Sequence, residues 1–237
     1  MKNETILQRI REDLQKHWDP KTKESTKRFF KESVDSYGVK TSLVKDIAKQ
    51  YYREMSSKTK AEVFSACSSL WASGYLEETF IACNWSQRLH RQYHPNDFQQ
   101  FQEWVFRYIS NWASCDTFCN HTIGTFLEMY PDHIKELYKW AEVDNRWVRR
   151  ASAVSLIVPV RKGMFLAEVF HIADILLLDP DDMVQKGYGW LLKVASQTHE
   201  TEVFDYVMKN KVTMPRTALR YAIEKMPIER KREAMRK

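Results

Sequence analysis

A tryptophan and an aspartate lie four residues apart in the segment Asn111-Trp112-Ala113-Ser114-Cys115-Asp116. Residues at i and i+4 of a helix share a face, so a helical segment would place the Trp112 indole beside the Asp116 carboxylate. The face of an aromatic ring carries a negative quadrupole, and both groups attract a cation. The pair therefore favours a cationic ligand, or a reaction centre that becomes positive. The spacing alone also allows a core tryptophan with Asp116 as a helix cap or surface residue.

A second segment, Gln185 to Lys193, contains two glycines in a helical pattern. Glycine in a helix interior costs about 1 kcal/mol relative to alanine. Gly187 and Gly189 therefore indicate close helix packing or the close approach of a phosphate. Trp190 and Lys193 are three residues apart and share a helix face, which is also compatible with a core tryptophan beside an exposed lysine.

The apolar residues recur at helical spacing along nearly the whole chain, and no sustained alternation indicates a strand. The clearest stretches run from Ile134 to Ala141, from Trp147 to Val158, from Phe165 to Leu176 and from Leu219 to Met226. The sequence therefore predicts an all-α protein.

Prolines divide this helical pattern, because proline is tolerated at the first helical position. Helix starts are predicted at Pro20, Pro95, Pro131, Pro180 and Pro215. Two or three helices fit between successive prolines, which suits degenerate helix-pair repeats of about 35–45 residues. No linker-like composition divides the chain. We therefore expect one domain over residues 1–237, a HEAT-like repeat solenoid of antiparallel helix pairs with a concave basic face.

The net charge of +6 and the pI near 9.0 suit a polyanionic partner, although solvated helix faces balanced by acidic residues are the simpler explanation for any single basic cluster. Three clusters stand out. They are Lys21, Lys23, Lys27, Arg28 and Lys31; Arg146, Arg149 and Arg150; and Arg216, Arg220, Arg230, Lys231 and Arg232.

Several classes of protein are disfavoured by composition. With 6 glycines, the chain lacks the fingerprints of Rossmann and P-loop sites. No recognised metal-binding spacing is formed by Cys115, Cys119 and His121, or by His90 and His94. We therefore expect no metal and no cofactor. The polar N-terminus and the short apolar runs predict no signal peptide and no membrane span. We expect a soluble cytoplasmic protein with reduced thiols.

The motifs taken together resemble the AlkD-type DNA alkylation repair family, the HEAT-like repeat alkylpurine DNA glycosylases. The matching pieces are the Trp112…Asp116 spacing, the segment from Asp144 to Ala151, the segment from Gly189 to Lys193, and the early turn from Tyr37 to Thr41. They occur in the family order over most of the chain.

The resemblance implies a role for each matching residue. Asp116 would be the catalytic carboxylate, and Trp112 and Trp190 would flank the lesion nucleotide. DNA-phosphate contacts are implied for Arg150, Lys193, Arg149, Lys40, Thr41, Lys45 and Phe29. Two positions depart from the family: Lys193 stands where Arg can occur, which replaces a bidentate clamp by a point charge, and Phe29 stands where Tyr can occur.

The implied reaction is hydrolysis of the N-glycosidic bond of cationic alkylated purines, of the 3-methyladenine and 7-methylguanine type, in duplex DNA during base excision repair. Such a base leaves as a neutral molecule, so the remaining need is to stabilise a cationic sugar, which a carboxylate can do. The implied protein is a monomer, nucleoid-associated when bound to DNA. The alternatives are a non-catalytic HEAT-repeat DNA-binding protein, which would not need Asp116, and a protein-binding scaffold.

Overall fold

The computed structural model describes residues 2–56 and 58–236 of the chain. Within those residues it is helical and contains no strand beyond one isolated bridge between Asp35 and Tyr75. The all-helical prediction is confirmed. The chain divides into two compact units, Met1–Thr117 and Phe118–Lys237. The single domain over residues 1–237 and the concave basic face stay predictions.

Helices of 10 to 15 residues and the beginning of a shorter seventh helix make up the first unit. Its helices are α1 (Lys2–Lys16), α2 (Pro20–Phe29), α3 (Thr41–Glu54), α4 (Lys60–Ala72), α5 (Leu76–Arg88), α6 (Asp97–Tyr108) and α7 (Trp112–Phe118). A 3₁₀ turn, His90–Gln92, joins α5 to α6. The core contains the fully buried indoles of Trp71, Trp85 and Trp104, and Trp85 Nε1 donates to the Ala48 carbonyl at 2.8 Å.

The second unit begins with a π-helical segment, Cys119–Ile123. Its α-helices are α8 (Gly124–Met129), α9 (Ile134–Trp140), α10 (Arg146–Val154), α11 (Ile157–Arg161), α12 (Leu166–Ile175), α13 (Asp182–Ala195), α14 (Glu200–Asn210), α15 (Arg216–Ala222) and α16 (Ile228–Met235). A 3₁₀ turn, Pro131–His133, precedes α9. The helix α13 contacts α10, α11, α12, α14 and α15, so it lies at the centre of this unit.

The prolines begin helical segments largely as predicted. Pro20 is the first residue of α2, where the Asp19 side chain caps the helix by accepting from the Thr22 N–H at 3.0 Å. Pro131 begins a 3₁₀ turn, and Pro215 directly precedes α15. Pro95 and Pro180 each lie two residues before a helix, α6 and α13 respectively, so the starts are confirmed to within two residues.

The two glycines of α13 are explained by close packing within the second unit. A Cβ at Gly189 would lie 2.7 Å from Tyr221 Cβ and 2.9 Å from the Ala218 carbonyl oxygen, both on α15. A Cβ at Gly187 would lie 3.2 Å from Arg150 Cγ on α10. Of the two explanations that the sequence allowed, the structure shows close helix packing at both positions.

Candidate active site

The residue before α7 is Asn111, whose buried carboxamide oxygen accepts from the Ser114 N–H at 2.9 Å. This contact satisfies one of the N–H groups that a helix start leaves without a partner. Trp112 and Asp116 follow inside the helix, one turn apart, and both are half-buried. The shared face predicted from their spacing is therefore present, and Asp116 is not a helix cap.

Both side chains line a cavity of about 350 Å³ in the first unit. Its walls come from α2, α3, α5 and α7 and from the residue that follows α2. The lining residues are Ser25, Thr26, Phe29, Phe30, Thr41, Leu76, Phe80, Trp112, Ala113, Asp116 and Thr117. Asp116 is the acidic residue among them, and the other polar groups are hydroxyls. A carboxylate thus faces a cavity whose walls are mostly aromatic and aliphatic.

Two phenylalanines hold the Trp112 indole in place. Phe30 stacks on it with ring centroids 5.5 Å apart and an interplanar angle of 27°. Phe29 meets it edge-on, at 5.3 Å and 62°. Phe30 is buried, whereas Phe29 is 67% exposed although it lines the cavity. Trp112 is thus supported from behind, while Phe29 remains accessible to a ligand.

The cavity also receives Thr41, the first residue of α3. Lys40 precedes it and Lys45 follows one turn later, and all three side chains are exposed. No side chain caps this helix start, and its first turn contains no acidic residue. The structure therefore places three of the predicted phosphate-contacting residues together at one helix start in the first unit.

A buried carboxylate fixes the turn that leads into α3. Glu77 is 3% exposed and accepts hydrogen bonds from the backbone N–H groups of Tyr37, Gly38 and Val39 at 2.9–3.0 Å. Gly38 has φ +85°, and a Cβ there would lie 2.6 Å from Lys23 Cβ. The glycine of the early turn is therefore required both by its backbone conformation and by its contact with α2.

Trp190 and Lys193 lie on α13 in the second unit, and both are half-buried. Lys193 Nζ donates to Glu224 at 2.9 Å and lies 5.3 Å from the centre of the Tyr221 ring. That hydrogen bond holds the pKa of the Glu224 carboxyl below its usual range. The lysine that stands in place of an arginine is therefore already paired with an acidic side chain.

Arg149 and Arg150, on α10, reach towards the start of α13. Arg149 is paired with Asp179 at 2.6 Å and donates to the Val143 carbonyl at 2.9 Å. Arg150 is 5% exposed and donates to the Met183 carbonyl. Both guanidinium groups thus connect elements within the second unit. Their contacts with phosphates stay predictions, and a phosphate would have to compete with these internal partners.

Sequence reasoning missed several residues that line the cavity. Phe30 directly follows Phe29, but nothing in the spacing distinguished the two. Leu76 and Phe80 are one turn apart on α5, where their pattern is that of an ordinary core face. Ser25, Thr26 and Thr117 carried no signal, because single hydroxyl residues on helices have no characteristic spacing.

The four cysteines are buried and have free thiols. Burial raises the pKa of the Cys67 thiol, so this group stays protonated at neutral pH. No three His, Cys, Asp or Glu side chains in residues 2–56 and 58–236 are grouped closely enough to hold a metal ion. In the same residues, no helix has the length and apolar character needed to cross a bilayer.

The helical architecture is shared with a solved structure described as a predicted DNA alkylation repair enzyme from Enterococcus faecalis. The two match with a TM-score of 0.79 and 14% identity, over 90% of this chain and 98% of the other. A likeness at this identity shows the fold alone. The sequence model of the DNA alkylation repair enzyme family matches residues 10–226. The chain therefore belongs to the DNA alkylation repair enzyme family. A comparison with curated protein sequences gives no significant match.

Proposed function

We propose that the protein is a DNA glycosylase that removes cationic alkylated purines, such as 3-methyladenine and 7-methylguanine, from duplex DNA as the first step of base excision repair. The observation that carries the proposal is the Asp116 carboxylate lining an aromatic-walled cavity one helical turn from Trp112. Membership of the DNA alkylation repair enzyme family supports DNA as the substrate.

The proposed reaction breaks the bond between the sugar C1′ and the purine nitrogen. The bonding electron pair moves to the base, which loses its positive charge and leaves as a neutral molecule. Positive charge develops on the sugar, where Asp116 stabilises it electrostatically. A water oxygen then bonds to C1′, and its proton passes to Asp116 or to solvent. The products are the free base and an abasic site.

Aromatic side chains favour the same cation. Trp112 presents a ring to the cavity, backed by Phe30, and Phe29 adds an exposed ring beside it. A cation over an aromatic face gains about 0.5–2 kcal/mol, with the larger values at desolvated sites. In the proposal, Trp190 serves as a second aromatic contact to the lesion nucleotide.

Phosphate contacts complete the proposal. Lys40, Thr41 and Lys45 lie at the uncapped start of α3, where backbone N–H groups and lysines favour an anion. Arg150 and Lys193 are proposed to hold the backbone from the second unit, after Lys193 exchanges Glu224 for a phosphate. The protein is proposed to act as a monomer in the cytoplasm, associated with the nucleoid when it binds DNA.

Release of free base tests this function. Duplex DNA treated with a methylating agent is incubated with excess protein, and free bases are separated from the DNA by chromatography. We expect 3-methyladenine or 7-methylguanine to appear together with an equal amount of abasic sites. Retained affinity for the duplex without base release would favour the non-catalytic DNA-binding alternative, because that protein needs the basic surface and not the carboxylate.

A further inference from the structure

The positive charge of the chain is concentrated at its C-terminal end. Residues 211–237 contain nine lysines and arginines against three glutamates, which amounts to +6, the formal net charge of the entire chain. The 210 residues before them contain equal numbers of basic and acidic side chains. The net positive charge that attracts a polyanion at long range therefore comes from this segment.

Four arginines of this segment are exposed and have no acidic partner in the described part of the chain. Arg216 and Arg220 lie on α15, and Arg232 lies on α16, which Arg236 directly follows. No ion pair within 4 Å involves any of them among the residues that the structure describes. The mid-chain arginines differ, since Arg149 is bound to Asp179. Apart from Arg216 Nη2, which donates to Met235 Sδ at 3.4 Å, the four guanidinium groups thus keep their donors available to solvent or to a ligand.

A contact within the second unit joins the two segments that carry these arginines. Arg216 Nη2 lies 3.4 Å from Met235 Sδ, so the start of α15 meets the end of α16. Arg216 and Arg220 are four residues apart, as are Arg232 and Arg236, and each pair lies on one side of its backbone segment. We name the four residues the C-terminal arginine surface.

A separate contact anchors α16 beneath this surface. Arg230 pairs with Glu200 at 3.3 Å and lies 4.8 Å from the centre of the Phe204 ring on α14. Ala234, one turn later, is buried. The helix is therefore held by Arg230 and Ala234, and the exposed arginines are not needed for that attachment.

We propose that the C-terminal arginine surface binds the sugar–phosphate backbone of undamaged duplex DNA that flanks the lesion. The guanidinium group matches phosphate oxygens with two parallel N–H donors. Four such groups on adjacent segments suit an extended polyanion rather than a small molecule. The choice of DNA rests on the proposed function. The family match ends at residue 226 of this chain, before α16 begins, so Arg216 and Arg220 lie within it and Arg232 and Arg236 lie beyond it.

Charge removal tests the proposal. In the test variant, R216Q/R220Q/R232Q/R236Q, four exposed cations become neutral. The control variant, R91Q/K135Q/R161Q/K209Q, neutralises four exposed cations that lie on the 3₁₀ turn before α6 and on α9, α11 and α14. Affinity for an undamaged duplex is measured by fluorescence anisotropy at several salt concentrations. Melting temperatures establish that both variants are folded.

We expect the test variant to bind the undamaged duplex at least tenfold more weakly than the control at low salt. Each lost phosphate contact should reduce the magnitude of the log–log salt slope by about 0.9. Single-turnover base release at saturating protein should be unchanged, because the surface does not contact the reacting bond. Equal affinities and slopes for the two variants would overturn the proposal.

Two further outcomes separate this proposal from the proposed function. Weakened duplex binding in the test variant, with no base release by the parent protein, would leave the surface assignment standing and reject the glycosylase. Unchanged duplex binding together with lost binding of a polyglutamate peptide would assign the surface to an acidic protein partner and overturn the proposal.

Discussion

Asp116 is half-buried in a cavity wall that is otherwise aromatic, aliphatic or hydroxyl-bearing. Asp116→Asn keeps the shape of the side chain and removes its charge. We expect the single-turnover rate of base release to fall by about 10²–10³-fold, the typical loss for one well-placed electrostatic contact. Affinity for the duplex should change little or increase slightly, because the DNA backbone is negative and gains nothing from a nearby carboxylate.

A matched substitution separates charge at the site from charge elsewhere. Asp46→Asn removes an exposed carboxylate from α3, and we expect the parental rate. The melting temperature and the duplex affinity are measured for both variants. An Asp116→Asn variant that folds, binds and releases base at the parental rate would reject the catalytic assignment.

Phe29 allows a test of the aromatic wall that does not disturb the core. Because the side chain is 67% exposed, Phe29→Ala should leave the melting temperature nearly unchanged. An aromatic pair contributes about 0.5–1.5 kcal/mol beyond the area that it buries. If Phe29 contacts the lesion base in this way, the single-turnover rate of base release should fall about 2–10-fold. Phe106→Ala, which removes a ring that is 43% exposed on α6, is the control. Equal rates for the two variants would show that Phe29 does not contribute to the reaction.

The candidate site was predictable only where its residues are close in sequence. Trp112 and Asp116 are one helical turn apart, so the helical period alone placed them on one face. Phe30 and Phe80 come from other parts of the chain, and a single sequence contains no spacing that relates them to Asp116. The residues that reach the cavity only through helix packing could therefore be identified only from the structure.

At the scale of elements, alanine substitutions at the two glycines of α13 are expected to have different effects on stability. Gly189→Ala adds a methyl group 2.7–2.9 Å from Tyr221 Cβ and the Ala218 carbonyl oxygen, which side-chain rotation cannot move. Overpacking of this kind costs about 1–3 kcal/mol, and the gain in helix propensity of about 1 kcal/mol offsets only part of it. We expect a lower free energy of unfolding, measured in urea.

Gly187→Ala is the matched control on the same helix. Its methyl group would meet Arg150 Cγ at 3.2 Å, within a flexible side chain that can shift by a few tenths of an ångström. The gain in helix propensity should then leave the free energy of unfolding near that of the parent. If Gly187→Ala destabilises the protein as much as Gly189→Ala, the contact with Arg150 is rigid rather than adaptable.

The helices were predictable to the extent that they follow the proline and apolar patterns. Pro20 and Pro131 begin helical segments and Pro215 directly precedes one, because proline suits a position without an intrahelical N–H partner. The π-helical segment Cys119–Ile123 was not predicted, since one extra residue per turn leaves no clear mark in a short apolar pattern. Pro159 inside the short helix α11 was also missed; as its third residue it lies in the first turn, where proline is tolerated.

Across the whole molecule, the net charge and the buried apolar side chains are distributed differently along the chain. Buried apolar side chains occur in both units, whereas the net charge arises from residues 211–237. Composition predicted a basic protein but not where the charge would remain unpaired. That distinction needed the ion pairs of Arg149 with Asp179 and of Lys193 with Glu224, which occupy cationic groups that a phosphate would otherwise contact.

Buried tyrosines in both units predict that the whole protein loses stability in alkali. Burial, reinforced by a hydrogen bond to Asp13, raises the pKa of Tyr51 to about 12. Burial and a hydrogen bond to Asp174 also raise the pKa of Tyr206. Burial likewise raises the pKa of Tyr188. In the unfolded chain these groups ionise near pH 10. Their contribution to stability is therefore complete below pH 10 and is lost as the pH rises through the raised folded values.

The free energy of unfolding, measured in urea between pH 8 and pH 12, should begin to fall above about pH 8.5, where the Cys67 thiol ionises in the unfolded chain. It should fall more steeply above about pH 10, where the tyrosines of the unfolded chain ionise. Tyr51→Phe loses the hydrogen bonds to Asp13 and to the Arg9 carbonyl, so its free energy of unfolding at pH 8 should be lower than that of the parent. Because one ionising group is removed, its free energy of unfolding should fall less steeply above pH 10. A Tyr51→Phe curve that runs parallel to that of the parent above pH 10 would contradict this prediction. It would show that Tyr51 has the same pKa in the folded and unfolded chains, despite its burial and its hydrogen bond to Asp13.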